Sequence, residues 1–180
     1  IESNQPEFKL SKVNINAEND EMNELINNKL VLVNSKVKLT TEKALNDEDC
    51  FIETDKVRFK QVFLNLLSNA VKFTKKGSIN FGYSIQDEFI RFYVKDTGRG
   101  ISDNDQKKLF KRFSQVATLD SEELPTGSGL GLAISKALTE MLGGKIGVDS
   151  KENIGSTFYF ELPANNLMKK TKELKVVETN

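Results

Sequence analysis

The residues best suited to ligand chemistry are two amides and an ammonium group that recur along one predicted helix. Asn65, Asn69 and Lys72 are spaced four and three residues apart, and Arg58 and Gln61 extend the same series. In an α-helix these residues share one face. The residues around them are mostly apolar, as in a helix that packs into a core. Polar groups on such a helix need partners, and a phosphate–metal unit would supply them; the alternative is a solvated edge of an ordinary amphipathic helix.

A second candidate segment follows a predicted strand and reads Asp96-Thr97-Gly98-Arg99-Gly100-Ile101. Glycines at such a position let the backbone approach a ligand, because no Cβ is in the way. The Asp96 carboxylate only accepts hydrogen bonds, so of the two purines it favours adenine, which offers an exocyclic amine. The alternative is a simple turn that carries an exposed aspartate.

A third candidate segment, Gly127-Ser128-Gly129-Leu130-Gly131-Leu132, leads directly into a predicted helix. The free N–H groups and the positive dipole end of a helix N-terminus favour phosphate. No lysine follows the glycines, so the segment is not a P-loop, and no βαβ unit surrounds it, as the dinucleotide-binding pattern requires. The preceding residues, 114–126, lack periodicity and are predicted to form a mobile loop beside the site.

Composition excludes several classes of function. The 180 residues contain 26 basic and 26 acidic side chains, which argues against a basic nucleic-acid groove. The chain has no histidine, which excludes serine–histidine triads and the usual zinc sites. Its single cysteine, Cys50, rules out an internal disulfide. No apolar run is long enough to span a bilayer. The first residue is not methionine, so we expect the sequence to be a piece of a longer protein.

Hydrophobic periodicity and turn signals predict alternating helices and strands that position these segments. Thr54 is the predicted N-cap of the polar-striped helix, and Phe51–Glu53 is expected to pair beside the strand at 37–41. The predicted helices are 19–34, 55–74, 103–111 and 129–142; the predicted strands are 37–41, 51–53, 78–85, 89–95, 145–150 and 157–162. The sum indicates an α/β fold, a two-layer sandwich with helices on one face of a mixed, mostly antiparallel sheet.

Five sequence motifs, taken in their order along the chain, resemble those of sensor histidine kinase catalytic domains. These domains belong to a superfamily shared with gyrase, chaperone and MutL ATPases. The match covers about 18–163, and the resemblance implies the Bergerat-type ATP-binding fold. Residues 1–17 are then a linker from a missing dimerisation domain, and 164–180 a C-terminal tail or linker. The matching motifs are Asn69 with Lys72, Asp96-x-Gly98-x-Gly100, Phe110 with Phe113, Gly127-x-Gly129-x-Gly131, and Gly155-Ser156-Thr157.

The resemblance also implies roles for individual residues, with ATP and Mg²⁺ as the ligands. Asn69 would coordinate Mg²⁺, Asn65 would support it, and Lys72 would contact phosphate. Thr157 would close the far side of the adenine pocket. The remaining implied nucleotide-binding residues are Phe73 beside the nucleotide, Asp96, Gly98, Gly100 and Ile101 at the base, Phe113 at the adjoining loop, and Gly127, Ser128, Gly129, Leu130, Gly131 and Leu132 around the phosphates.

The implied activity is transfer of the ATP γ-phosphoryl group to a histidine on a separate dimerisation domain. Position 65 is an amide, which cannot act as a general base at neutral pH, so slow hydrolysis is expected. The implied partners are that dimerisation domain and a response-regulator receiver domain. The resemblance also implies that this domain lies on the cytoplasmic side of a homodimeric, membrane-anchored sensor. Three alternatives remain: a gyrase- or chaperone-type ATPase, an anti-sigma-type serine kinase, and a degenerate binding module.

Overall fold

The predicted helices and strands are present in the predicted order, and one further strand precedes them. The computed structural model describes residues 7–111 and 129–167. Within them the strands are β1 (Ser11–Asn14), β2 (Lys36–Glu42), β3 (Phe51–Thr54), β4 (Lys76–Ile85), β5 (Phe89–Asp96), β6 (Lys145–Lys151) and β7 (Gly155–Pro163). The helices are α1 (Ile15–Leu32), α2 (Lys56–Phe73), α3 (Asp103–Gln106) and α4 (Gly131–Met141), and a 3₁₀ turn covers Ala164–Asn166.

Five strands form the main sheet in the order β2-β4-β5-β7-β6. The β2–β4 pair is parallel, and the other three pairs are antiparallel. The hairpin predicted between β4 and β5 is present, and so is the pairing of the last two strands. The mixed, mostly antiparallel sheet with helices on one face confirms the predicted α/β sandwich.

Aromatic side chains fill the layer between the sheet and α2. Phe92 of β5 stacks on Phe160 of β7 with ring centroids 4.9 Å apart, and Phe59 of α2 meets Phe92 edge-on at 4.9 Å. Phe63 and Phe81 complete the cluster, and all five rings are buried. Each buried ring contributes roughly 1.5–3 kcal/mol relative to an exposed one. This packing fixes α2 across the middle of the sheet.

The N-cap of α2 is Asp55 and not Thr54, so the predicted cap is wrong by one residue. The Asp55 carboxylate accepts from the backbone N–H of Arg58 at 3.1 Å, and also from that of Lys9 at 3.0 Å. It forms an ion pair with the Arg58 side chain as well. Arg58 is therefore buried in a structural contact, although its spacing placed it in the polar stripe.

A second, two-stranded sheet lies outside the predicted arrangement. β3 pairs with β1 and not with β2, so the expected partner of residues 51–53 is wrong. β1 and the start of α1 lie within residues 1–17, which were predicted as a linker. The main-chain bridge between Ile52 and Leu167 brings part of the predicted tail to the same sheet. In both cases the pairing partner is distant in sequence, so local patterning does not reveal it.

Two helices are shorter than predicted. α3 covers only Asp103–Gln106, with Ser102 as its N-cap. α4 begins at Gly131, two residues later than expected. No helix in the two described stretches is both long and apolar enough to cross a membrane. The predicted loop 114–126 lies outside the described residues.

Candidate nucleotide-binding site

The polar face of α2 lies against the start of α4. The Asn65 side-chain nitrogen donates to the Ser135 hydroxyl at 2.8 Å. A Cβ added to Gly131 would lie 2.7 Å from the Asn65 side-chain oxygen, so a larger residue there would displace the Asn65 amide. Asn65 therefore joins the predicted amide stripe to the helix that follows the glycine-rich segment.

The N-terminus of α4 has no side-chain cap. Leu130 occupies the N-cap position without a side-chain hydrogen bond to the first turn. No acidic residue lies in that first turn, so the turn itself places no negative charge at the positive end of the helix dipole. Gly129 has a φ of +67°, a conformation that glycine adopts without strain. Such a helix end is suited to bind phosphate.

One turn beyond Asn65, Asn69 is half-buried on the same face of α2. Among residues 7–111 and 129–167 the Asn69 side chain makes no hydrogen bond, whereas that of Asn65 bonds to Ser135. Lys72 is exposed one further turn along, with its ammonium nitrogen 4.9 Å from the centroid of the Phe73 ring. The structure thus brings Asn65, Asn69 and Lys72 to one face, as their spacing predicted.

At the end of β5, Asp96 is buried beside the C-terminus of α2. Its carboxylate accepts from the backbone N–H of Gly98 at 2.8 Å. A Cβ on Gly98 would lie 2.5 Å from the carbonyl oxygen of Phe73. Burial raises the pKa of the Asp96 carboxyl, although the backbone N–H groups of Gly98 and Ser156 act in the opposite direction. A buried acceptor with a raised pKa at the edge of a helix–sheet contact is typical of a functional position.

The loop after Asp96 is fixed by backbone contacts. Gly100 has a φ of +66°, and a Cβ there would lie 2.0 Å from the carbonyl oxygen of Lys151. The Gln106 side chain donates to the carbonyl oxygens of Ile101 at 2.9 Å and of Ser150 at 3.0 Å. Packing therefore requires a glycine at both Gly98 and Gly100. The sequence alone attributed these two glycines to the approach of a ligand.

Thr157 and its neighbour Ser156 lie on opposite faces of the sheet. Thr157 pairs with Lys95, whereas Ser156 pairs with Asp96. Residues directly opposite in a ladder share a face, and successive residues alternate, so Thr157 points to the other face of the sheet from Asp96. Ser156 is therefore the side chain on the Asp96 face.

The other predicted residues divide into two groups. Ile101, Leu132 and Phe110 are partly buried against the core. Phe113, Gly127 and Ser128 lie outside the described residues. Sequence reasoning missed Ser135, Ser156 and Gln106, because each acts through a partner on another element. Of these three residues, only Ser156 could have been found from the sequence, because it is the middle residue of the Gly155-Ser156-Thr157 motif.

Comparison with known proteins identifies the class to which this arrangement belongs. Residues 54–166 match the family described as "Histidine kinase-, DNA gyrase B-, and HSP90-like ATPase". Because the match covers more than half of the chain, the protein belongs to this family.

Within the family, the similar proteins are sensor histidine kinases. The chain is 43% identical to the sensor protein GacS of Pseudomonas syringae pv. syringae over 121 residues, 64% of this chain and 13% of that protein. It is 41% identical to histidine protein kinase 1 of Candida albicans over 143 residues, 71% of this chain and 6% of that protein. The chain thus spans a small fraction of the curated relatives that it matches.

Solved structures give the same result. Full-length ShkA in complex with AMPPNP matches with a TM-score of 0.72 and 31% identity, over 87% of this chain and 31% of that chain. A nucleotide-free catalytic domain of the histidine kinase ThkA matches with a TM-score of 0.70 and 29% identity, over 86% of this chain and 97% of that chain. The predicted resemblance and fold are confirmed.

Proposed function

We propose that this chain is the ATP-binding catalytic domain of a two-component sensor histidine kinase. It binds ATP between the amide face of α2 and the glycine segments, and it transfers the γ-phosphoryl group to a histidine of a separate dimerisation domain. The chain contains no histidine, so the acceptor belongs to another domain.

The Asn65–Ser135 hydrogen bond is the observation that carries this proposal. It joins the face that bears Asn69 to the helix whose uncapped N-terminus suits phosphate. The group at position 65 is an amide, which does not activate water. A nucleotide held there is positioned for transfer and protected from hydrolysis, as a kinase requires.

The residues present fit a magnesium ion that is held mainly by the phosphates. Among the described residues no group of three acidic, cysteine or histidine side chains could hold a metal by itself. Mg²⁺ commonly takes one or two protein oxygens together with substrate phosphates and water. Asn69 is half-buried and its side chain has no hydrogen bond to another described residue, so it would supply such an oxygen. When bound, the ion neutralises charge on the phosphates.

Each remaining site residue has a role in the same proposal. Asp96 accepts from the adenine amine, and Ser156 lies on the same side of the sheet as Asp96. Lys72 contacts phosphate. Gly127 and Ser128 keep the phosphate-side roles implied by the family resemblance, and Phe113 keeps its implied role at the adjoining loop.

We further propose that the domain works in the cytoplasm, with a homodimeric parent and a receiver domain of a response regulator as the next phosphate acceptor. The support is that similar proteins are named as sensor kinases, including a sensor kinase/phosphatase of Vibrio vulnificus.

Phosphotransfer to the histidine-bearing domain of the parent protein tests the proposal. The chain, Mg²⁺ and γ-labelled ATP should label that domain with phosphate that is labile in acid and stable in base. Asn69→Asp should abolish labelling, and Lys29→Gln, on an exposed position of α1, should leave it unchanged.

The alternatives give different results in the same assay. Sustained phosphate release by the chain alone would identify a hydrolysing ATPase. Acid-stable phosphate on the acceptor would identify a serine-directed kinase. Absence of any adenine-nucleotide binding by the unaltered chain would leave only a binding module, and each of these outcomes contradicts the proposal.

A further inference from the structure

Thr74 ends α2 next to the candidate site, and its side chain is buried. It is the C-cap residue of α2, with extended backbone angles (φ −113°, ψ 96°), and 3% of its surface is exposed. The carbonyl before it, that of Phe73, packs against the loop after β5. A Cβ on Gly98 would lie 2.5 Å from the Phe73 oxygen and 2.8 Å from the Asp96 Oδ1 atom. The end of α2 and the Asp96 carboxylate therefore border the same small space.

The Thr74 hydroxyl has hydrogen-bonding capacity that the fold does not use fully. Its oxygen is shielded from solvent, and in the described ranges 7–111 and 129–167 it has no hydrogen bond of good geometry. It is nevertheless close enough to the Asp96 carboxyl to help lower the pKa of that group. A buried hydroxyl without a full hydrogen bond is costly, so a small movement of the carboxylate towards Thr74 is favourable.

The donors around Asp96 leave room for one kind of ligand group. The backbone N–H of Gly98 donates to Oδ1 at 2.8 Å, and the backbone N–H of Ser156 also acts on the carboxylate. An ionised carboxylate offers about four acceptor positions. With the Thr74 hydroxyl as a third donor, about one position remains, and that position can only accept. An amine of a ligand can donate to it, whereas a carbonyl oxygen is repelled.

Of these three donors, Thr74 is the one that a substitution removes without changing the backbone. The N–H groups of Gly98 and Ser156 belong to the loop after β5 and to β7, and they remain when a side chain is replaced. The Thr74 hydroxyl comes from a third element, α2, which also bears Asn65 and Asn69. It therefore relates the orientation of the carboxylate to the helix with the polar face.

We propose that Thr74 is a positioning residue for Asp96: its hydroxyl donates to the carboxylate and thereby sets the preference of the site for adenine over hypoxanthine. This inference deepens the proposed function and rests on it. Adenine carries an amine at the position where hypoxanthine carries a carbonyl oxygen. A carboxylate that is ionised and held in one orientation accepts from the amine and rejects the oxygen, whereas a neutral or rotated carboxyl discriminates less.

Binding of ADP and of inosine diphosphate to the 180-residue chain tests the inference by calorimetry in Mg²⁺ buffer, with inosine diphosphate measured by displacement of ADP. Thr74→Val replaces the hydroxyl with a methyl group of similar size. It should lower the ratio of the inosine diphosphate to the ADP dissociation constant at least about threefold, towards the roughly tenfold effect of losing a hydrogen bond to a charged group. Thr74→Ser keeps the hydroxyl and should hold this ratio within about twofold of that of the unaltered chain.

Thr54→Val is the matched control. Thr54 lies beyond the other end of the 18-residue helix α2, about 27 Å away at the helical rise. It is 1% exposed, and its hydroxyl likewise has no hydrogen bond within the two described ranges. The variant removes the same group from an equally buried position, so it should leave both dissociation constants within about twofold of those of the unaltered chain.

Three outcomes would each overturn the inference: a ratio that changes less than about threefold in Thr74→Val, an equal fall of the ratio in Thr74→Ser, or an equal fall in Thr54→Val. A urea unfolding curve shows whether each variant folds. If Thr74→Val does not fold, Thr74→Ala, which also removes the hydroxyl, is measured in its place with the same expected ratio. If the unaltered chain binds no adenine nucleotide, the proposed function itself fails; if it binds ADP and Thr74→Val keeps the ratio, only this inference fails.

Discussion

Asp96 lies directly opposite Ser156 in the antiparallel ladder between β5 and β7. Both residues are buried on the helical face of the sheet. The Ser156 hydroxyl lies 2.9 Å from that of Ser150, which in turn donates to the Gly155 carbonyl at 3.0 Å. This chain of hydroxyls places a polar group beside the buried carboxylate, at the point where the base of a nucleotide is expected.

Ser156→Ala should therefore weaken ADP binding by about two- to twelvefold, the effect of one hydrogen bond of about 0.5–1.5 kcal/mol. Thr157→Ala is the matched control, because Thr157 points to the opposite face and should change the dissociation constant less than twofold. Titration calorimetry of both variants gives the comparison. A greater loss in Thr157→Ala would show that the register argument does not describe the bound state.

The raised pKa of Asp96 predicts an unusual pH dependence of stability. Because burial makes the ionised form unfavourable in the folded protein, the stabilising contribution of this carboxyl is fully present below its unfolded pKa. It is lost as pH rises through the higher folded pKa. The free energy of unfolding of the unaltered chain, relative to Asp96→Asn, should therefore fall from about pH 4 towards neutrality. Urea denaturation of both proteins at several pH values measures this difference, and a flat difference would contradict the assigned cause.

The contribution of Asp55 to stability should have the opposite pH dependence. Burial acts to raise its pKa, but the backbone N–H groups of Lys9 and Arg58 and the Arg58 side chain hold it below the ordinary value. Its contribution is present above the unfolded pKa and is lost as pH falls through the folded pKa. Asp55→Asn should cost about 1–3 kcal/mol at pH 7, and the difference from the unaltered chain should shrink in acid.

Asp20→Asn is the control for Asp55. Asp20 forms an exposed ion pair with Lys43, and such pairs contribute about 0–1 kcal/mol. The two variants should therefore differ clearly in urea midpoint at pH 7. Equal losses would mean that the cap and ion pair at the start of α2 do not stabilise the protein beyond an ordinary surface pair.

Two glycines with positive φ allow the destabilisation caused by backbone strain to be measured apart from that caused by a steric contact. A Cβ at Gly143 meets nothing within 4 Å, so Gly143→Ala adds only the strain of its φ of +79°, about 1 kcal/mol. Gly100→Ala adds the same strain together with the contact to Lys151, and should cost about 2–4 kcal/mol. Thermal unfolding of both variants checks the order. Similar losses would indicate that the β6–β7 turn moves away at little cost.

The motif spacing alone identified the polar face of α2, the carboxylate at the end of β5 and the glycine segment before α4. The placement of these residues could be predicted because helical and strand periodicities are local: a residue's face follows from its position in its own element. Family membership also follows from the order of the motifs, which folding does not change.

Tertiary structure alone decided which side chains meet across elements. The pairing of β3 with β1, the Asn65–Ser135 contact and the position of Thr74 beside Asp96 each join residues from separate parts of the chain. The choice between Ser156 and Thr157 depended on register, where a shift of one residue reverses the face of every side chain. Such relationships come from packing and pairing between distant segments, so no local pattern of the sequence encodes them.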